Sequence, residues 1–248
     1  MSLSIITVVY NRRDTVEECF QSLRMQTCSS YEHVIIDGAS TDGTLEVLER
    51  IKDERTNLVS EPDDGVFDAL NKGIKLSSGE IIGIVHSDDV FATSTVLERV
   101  LEAFSDQTVN AVYGDLNYVK ADNLMQVIRH WKAGPFLPKK LRRGWMPPHP
   151  TLFLRKEVFE SFGMYDTKFS IAADYEAILR WFTQPNFKAV YIPEVLVNMR
   201  VGGQSNSSIK NLIIKSMQDF QAIRKNRMGG LGVLALKNIS KVSQFFRR

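Results

Sequence analysis

The chain has only two cysteines, Cys19 and Cys28, in 248 residues, too few for the disulfide framework of a small secreted domain. Cys19 falls on the apolar face of an expected helix, so both thiols are read as reduced and the compartment as cytosolic. Long apolar runs are also missing. Stretches such as Ile81 to Val85 and Leu231 to Leu236 fall far short of the roughly 20 residues needed to cross a bilayer. The opening SLSIITVVYN lacks a basic leader and a small-residue cleavage site, so it reads as a first strand and not as a signal peptide. Asn11-Arg12-Arg13-Asp14 stands where a dinucleotide fold would need G-x-G-x-x-G, and no G-x-x-x-x-G-K-[ST] phosphate loop occurs. There are no internal repeats and no linker long enough to separate independent domains.

Net charge is small, +2, but unevenly placed. Ser208 to Arg248 holds nine Lys or Arg against one acid, Asp219, so residues 1–207 are net acidic. Arg129 to Arg143 adds six basic residues and no acid, interleaved with Trp131, Pro135, Phe136 and Pro138. That mixture suits an anionic or amphiphilic partner. Nucleic acid is disfavoured, because the main body is acidic and neither a base-reading helix nor zinc-finger spacing is present.

Strand-length apolar runs alternate with segments of helical period, the pattern of an α/β protein with a mainly parallel central sheet and helices on both faces. Strands are expected at Ser4 to Tyr10, His33 to Asp37, Asn57 to Ser60, Glu80 to Val85 and Val109 to Tyr113. Asp14 and Glu17 have capping-box spacing ahead of a stripe of Val16, Cys19, Phe20 and Leu23. Further helices carry Leu45, Leu48 and Ile51; Phe67, Leu70 and Ile74; and Leu97, Val100, Leu101 and Phe104. A proline-rich connection then leads to Thr151 to Leu154 and two more helices. Two units are expected: residues 1–207 as the main α/β domain and 208–248 as a basic C-terminal helical extension. In the extension Leu231, Leu234, Ala235, Ile239, Val242, Phe245 and Phe246 share one face and Lys237, Lys241 and Arg248 the other. This reads as an interfacial anchor for an anionic membrane surface, against the alternative of a helix packed on the domain.

Ligands of open α/β sheets sit beyond the carboxyl ends of the strands. Those ends carry Tyr10-Asn11, Asp37 and Asp88-Asp89. Adjacent carboxylates at the mouth of a sheet suit Mg²⁺ or Mn²⁺, hard cations that prefer oxygen and bridge to a diphosphate. Asp37 and Asp64 also fit simple turn roles, Asp174 fits a first helical turn through the macrodipole, and Trp181 fits the core. His149, between two prolines, is a candidate acceptor- or phosphate-binding residue, with a structural histidine as the alternative.

Five ordered blocks, SIITVVYN, VIIDGASTDGT, PDDGVFDALNKGIKLSSGEIIGIVHSDD, PHPTLFLRKEVFESFGMYD and IAADYEAILRW, resemble the inverting family 2 glycosyltransferases of GT-A fold over roughly the first 205 residues. The resemblance implies a metal-dependent transfer of one sugar from a nucleotide-sugar to an acceptor hydroxyl with inversion, in envelope polysaccharide or glycolipid synthesis. It makes Tyr10 a base-stacking residue, Asp37 the nucleobase acceptor, Asp88 a contact to the donor's sugar or ribose and Asp89 the metal ligand. Asp64 and Lys72 lie beside the donor, with Lys72 near phosphate. Arg200, Gly202, Gly203 and Ser205 form a flexible cover, and Asp174 is the general base. The chain reads Ser87 two positions before Asp89 and Ala173 where many members have Glu. Ala177-Ile-Leu-Arg180-Trp181 replaces the processive Gln-x-x-Arg-Trp, which implies single-sugar addition. UDP is the favoured nucleotide because a carboxylate accepts from uracil N–H, a donor that guanine and thymine also present. The acceptor is a saccharide or a lipid-linked saccharide, and the site is cytoplasmic, peripheral on the membrane if the last helix binds there. A sugar-phosphate nucleotidyltransferase and a silent nucleotide- or carbohydrate-binding scaffold remain the alternatives. The first would need a glycine-rich, Arg- or Lys-bearing loop after the first strand. The second would not need Asp89 and Asp174.

Overall fold

The structure, a computed structural model, describes residues 1–202 and 209–242. Its first half alternates regularly: β1 (Leu3–Val9), α1 (Val16–Arg24), β2 (Tyr31–Asp37), α2 (Thr44–Ile51), β3 (Thr56–Ser60), α3 (Val66–Leu76) and β4 (Ile81–Ile84). These four strands are parallel in the order β3-β2-β1-β4. Both faces of the sheet are covered, which is why β1 is buried at every residue and reads as a continuous apolar run. The period of two still sorts its side chains: Ile6 and Val8 pack with α3, whereas Ile5 and Val9 face the side of α1.

The second half is mixed. β5 (Val90–Phe91), α4 (Val96–Ala103), β6 (Ala111–Lys120), β7 (Asn123–Trp131), α5 (Pro138–Leu141), a 3₁₀ turn at His149–Thr151, β8 (Phe153–Arg155), α6 (Lys156–Phe162), α7 (Ala173–Phe182) and β9 (Ala189–Arg200) follow. β8 joins the halves, antiparallel to both β4 and β6. β9 runs parallel to β6 and antiparallel to β5, and β7 forms a hairpin with β6. A β-carbon on Gly83 of β4 would collide with the Phe153 ring of β8. Gly83→Ala is therefore expected to overpack this joint by about 1–3 kcal/mol, read as a lowered Tm in a thermal melt.

Several expectations need correction. The capping box is not made: Thr15 is the N-cap of α1 without a side-chain cap bond, and Glu17 pairs with Arg50 at 3.0 Å. Val47 takes the buried position of α2 that was expected for Leu45, which is only half-buried. β6 runs seven residues past Tyr113, and Arg129 to Trp131 ends β7 instead of opening the proline-rich connection. β9 was missed because Pro193 argues against a strand. The structure accommodates it at an irregularity, where Gly114 pairs Ile192 and Asp115 pairs Val195.

The C-terminal helices α8 (Ile209–Lys225) and α9 (Leu231–Val242) share the main core through Ala222, Ile223, Met228 and Val233. Lys237, expected on the outer polar face, points inward, 2.5 Å from buried Asp219 and over the Tyr175 ring. A charge taken from water needs such a partner, and Lys237 finds one where α9 packs through Val233 and Leu234. Leu231, Ala235, Leu236 and Ile239 are exposed instead. Phe245, Phe246 and Arg248 lie outside the described residues.

Candidate active site

Strand ends position the first cluster. Tyr10 leaves β1 half-exposed, followed by Asn11 in the left-handed region at φ 52°. Asn11 then zips two loops together: its N–H donates to Ser40 Oγ at 2.9 Å and its Oδ1 accepts from Thr41 N–H at 2.9 Å. Asp37, the last residue of β2, is fully buried. Its Oδ2 accepts from Ser60 Oγ at 2.6 Å and from Ser40 N–H at 3.2 Å, while Oδ1 is buried with no hydrogen-bond partner. An unmet acceptor of this kind costs about 1–3 kcal/mol.

Asp63, passed over in the sequence, lies beside Gly38 and Tyr10, since a β-carbon on Gly38 would collide with its carboxylate and touch the Tyr10 ring. Its neighbour Asp64 is exposed, with its N–H on Asp68 Oδ2 at 3.2 Å. Lys72 is held by Glu61 at 2.8 Å, the Pro62 carbonyl at 2.8 Å and Asp68 at 3.5 Å, and the bond to Glu61 chiefly favours its charged form.

The two carboxylates after β4 differ sharply. Asp88 is partly exposed, with Arg12 Nε 3.7 Å away. Asp89 is buried, its Oδ1 accepting the Arg200 N–H at 3.1 Å. Burial first, then the charge of Asp88, pushes the Asp89 carboxyl well above the usual carboxylate range. Arg200 is buried too and binds the Asp88 carbonyl at 2.5 Å, the Ala121 carbonyl at 3.1 Å and the Glu18 carboxylate. Its guanidinium thus braces β9 against the loop after β4, where a flexible cover was expected. Gly202 ends the described stretch, and Gly203 and Ser205 lie outside it.

The second cluster comes from the later half. Asp174, the second residue of α7, has Oδ1 on the Tyr175 N–H at 2.7 Å. Its charge acts on His86, His149, Tyr165 and Tyr118. His149 is buried, with Nε2 2.8 Å from Tyr165 Oη, and burial pulls its pKa down to about 4, leaving a neutral imidazole. Burial also lowers His86, against the charges of Asp88 and Asp174. The rings of His86 and His149 lie 6.1 Å apart. Asn71 of α3 clamps the Tyr165 backbone, donating to its carbonyl at 2.9 Å and accepting its N–H at 3.0 Å. The helix that borders the first cluster is thereby fastened to the second. Tyr118 and Arg129, a hairpin pair with the guanidinium 3.7 Å over the ring, flank this region. Trp181 is core, as expected.

Two solved structures share this architecture. The mannosyltransferase PcManGT from Pyrobaculum calidifontis, in complex with GDP-Man and Mn²⁺, superposes with a TM-score of 0.68 at 21% identity, covering 96% of this chain and 68% of that one. S. aureus TarS 1–349, in complex with UDP-GlcNAc, gives 0.68 at 15% identity over 91% and 65%. The fold is that of a GT-A glycosyltransferase.

The family profile described as Glycosyl transferase family 2 matches residues 4–163. An uncharacterized glycosyltransferase of Mycobacterium tuberculosis is 33% identical over 182 residues, 72% of this chain and 68% of that protein. A "PGL/p-HBAD biosynthesis glycosyltransferase" of Mycobacterium bovis is 27% identical over 219 residues, 86% and 83%. This chain belongs to glycosyl transferase family 2, and it is a glycosyltransferase enzyme.

Proposed function

We propose that the enzyme transfers one sugar, with inversion and with a divalent metal, from a nucleotide-sugar to a saccharide or lipid-linked acceptor in envelope polysaccharide or glycolipid synthesis. The observation that carries this reading is the meeting of the two clusters: the rings of His86, beside Asp88, and His149 lie 6.1 Å apart, and Asn71 of α3 clamps Tyr165, the hydrogen-bond partner of His149. The relative from PGL/p-HBAD biosynthesis and the two structural neighbours bound to GDP-Man and UDP-GlcNAc support the class of substrate.

In this reading Tyr10 stacks on the base, and the unmet Asp37 Oδ1 accepts a base N–H, which suits uracil. The metal role passes from Asp89 to Asp88. Asp89 is interior and its Oδ1 is engaged by the Arg200 N–H, whereas the Asp88 side chain is partly exposed. Among the described residues no three His, Cys, Asp or Glu gather as a metal cage. That fits Mg²⁺ or Mn²⁺ held by one carboxylate and substrate phosphates. Such an ion, when bound, would neutralise the charge developing on the departing diphosphate. Asp174, with Oδ1 fixed on Tyr175, offers Oδ2 to take the acceptor hydroxyl's proton as the oxygen attacks opposite the nucleotide. His149 and Tyr165, mutually hydrogen-bonded, shape the acceptor side.

No helix among the described residues is long and apolar enough to cross a membrane. Exposed Ile213 and Met217 of α8 and Leu231 and Ile239 of α9, in the basic C-terminal segment, suit a peripheral contact with an anionic bilayer carrying the acceptor.

Titration of UDP into wild type and Asp37→Asn tests the donor half. The variant is expected to bind about 10-fold or more weakly, since a buried acceptor bond to the base is lost or replaced by a clashing amide donor. Equal affinity would remove Asp37 from the nucleotide site.

A further inference from the structure

The start of α7, which carries Asp174, lacks its own cap. Helix N-termini leave four backbone N–H groups unmet and favour Ser, Thr, Asp or Asn at the cap, but the cap here is Ala172, followed by Ala173. The partner comes from 46 residues further along the chain. Gln218, on α8, directs Oε1 at the N–H groups of Ile171, at 2.9 Å, and Ala172, at 3.1 Å, while its Nε2 donates to Ser170 Oγ at 3.0 Å. Three bonds from one side chain thus fix the residues immediately before the helix.

The rest of α8 reinforces the same contact. Lys225 reaches Asp166 at 2.8 Å and Glu176 at 3.1 Å, bracketing Asp174 in sequence, and Glu176 also holds Arg180 at 3.0 Å. Ala222 and Ile223 pack into the core beneath α7. The family profile ends at residue 163, before either helix, so neither element is accounted for by it.

We infer that Gln218 is a positioning residue for the general base: from α8 it holds the N–H groups of the N-cap residue Ala172 and of Ile171 before it, and so sets the entry into α7 and the direction of the Asp174 carboxylate. The inference rests on the proposed role of Asp174. The second residue of a helix moves with the turn that holds it. Among the described residues Asp174 Oδ1 accepts from the N–H of its neighbour Tyr175, so the carboxylate turns with the helix entry that Gln218 holds. The C-terminal helices are then part of the catalytic apparatus.

The test uses the full chain and measures nucleotide released from a UDP-sugar, UDP affinity and Tm. Gln218→Ala is expected to lower kcat about 10- to 100-fold, the scale for a misplaced catalytic group, with UDP affinity within about twofold. Gln218→Glu keeps an oxygen acceptor for both N–H groups, so it should recover most of the rate. Wild-type kcat in the alanine variant would overturn the inference. So would a parallel fall of kcat, UDP affinity and Tm without rescue by glutamate, which marks a structural role only. Asp174→Asn, run alongside, separates the two claims. If it keeps the wild-type rate, the base assignment fails; if it loses the rate while Gln218→Ala does not, only the positioning role fails.

Discussion

Asp174→Asn is expected to lower kcat by about 10²- to 10⁴-fold, the range for removal of a general base, while nucleotide binding and Tm stay close to wild type. The asymmetry follows from geometry. The amide oxygen of asparagine can still accept from the Tyr175 N–H, so the first turn of α7 keeps its local bond. What is lost is the carboxylate's capacity to take a proton and the negative charge that acts on His86, His149 and Tyr165. Steady-state kinetics beside a UDP titration would separate the two. A matched loss of affinity would move Asp174 from base to donor binding, and an unchanged rate would remove it from catalysis.

The second large effect separates the neighbouring carboxylates. Asp88→Ala is expected to cost roughly 10²- to 10³-fold in kcat/KM, the several kcal/mol that a metal's charge stabilisation supplies, and to flatten the response to added Mn²⁺. Asp89→Asn should keep much of that response, because its amide oxygen can still accept the Arg200 N–H that joins β9 to the loop after β4. Asp89→Ala should chiefly lower Tm, since it leaves a buried N–H unmet. The reverse pattern, metal response lost at Asp89 and kept at Asp88, would restore the assignment read from the sequence.

The Asp88–Asp89 pair is one place where burial goes beyond what the letters carry. The parallel half of the sheet was legible because its strands are buried on both faces and its helices show plain stripes such as Val16, Cys19, Phe20 and Leu23. The order of chemical groups at strand ends was legible too: Tyr10, Asp37 and Asp88 all stand where strands stop. Burial within a pair of identical side chains leaves no trace in their letters, so the interior place of Asp89 and the partial exposure of Asp88 were not legible. β9 was hidden by Pro193, which only its partner's irregular register accommodates. Lys237 of α9 was taken for a solvent-facing charge because its partner Asp219 sits on another helix. Gln218 was invisible for the same reason, as the bare Ala172-Ala173 cap gives no hint of which residue completes it. Each failure is a pairing between distant segments, whereas each success rests on a period or a local turn.

The most direct test of the central claim is nucleotide release from a panel of UDP-, GDP- and dTDP-sugars by the wild-type enzyme, with Mn²⁺ or with chelator. The account expects release from one donor, a UDP-sugar, that requires the metal and is lost in Asp88→Ala. Pyrophosphate release from a nucleoside triphosphate instead, or failure to bind any of these nucleotides in the presence of metal, would contradict it.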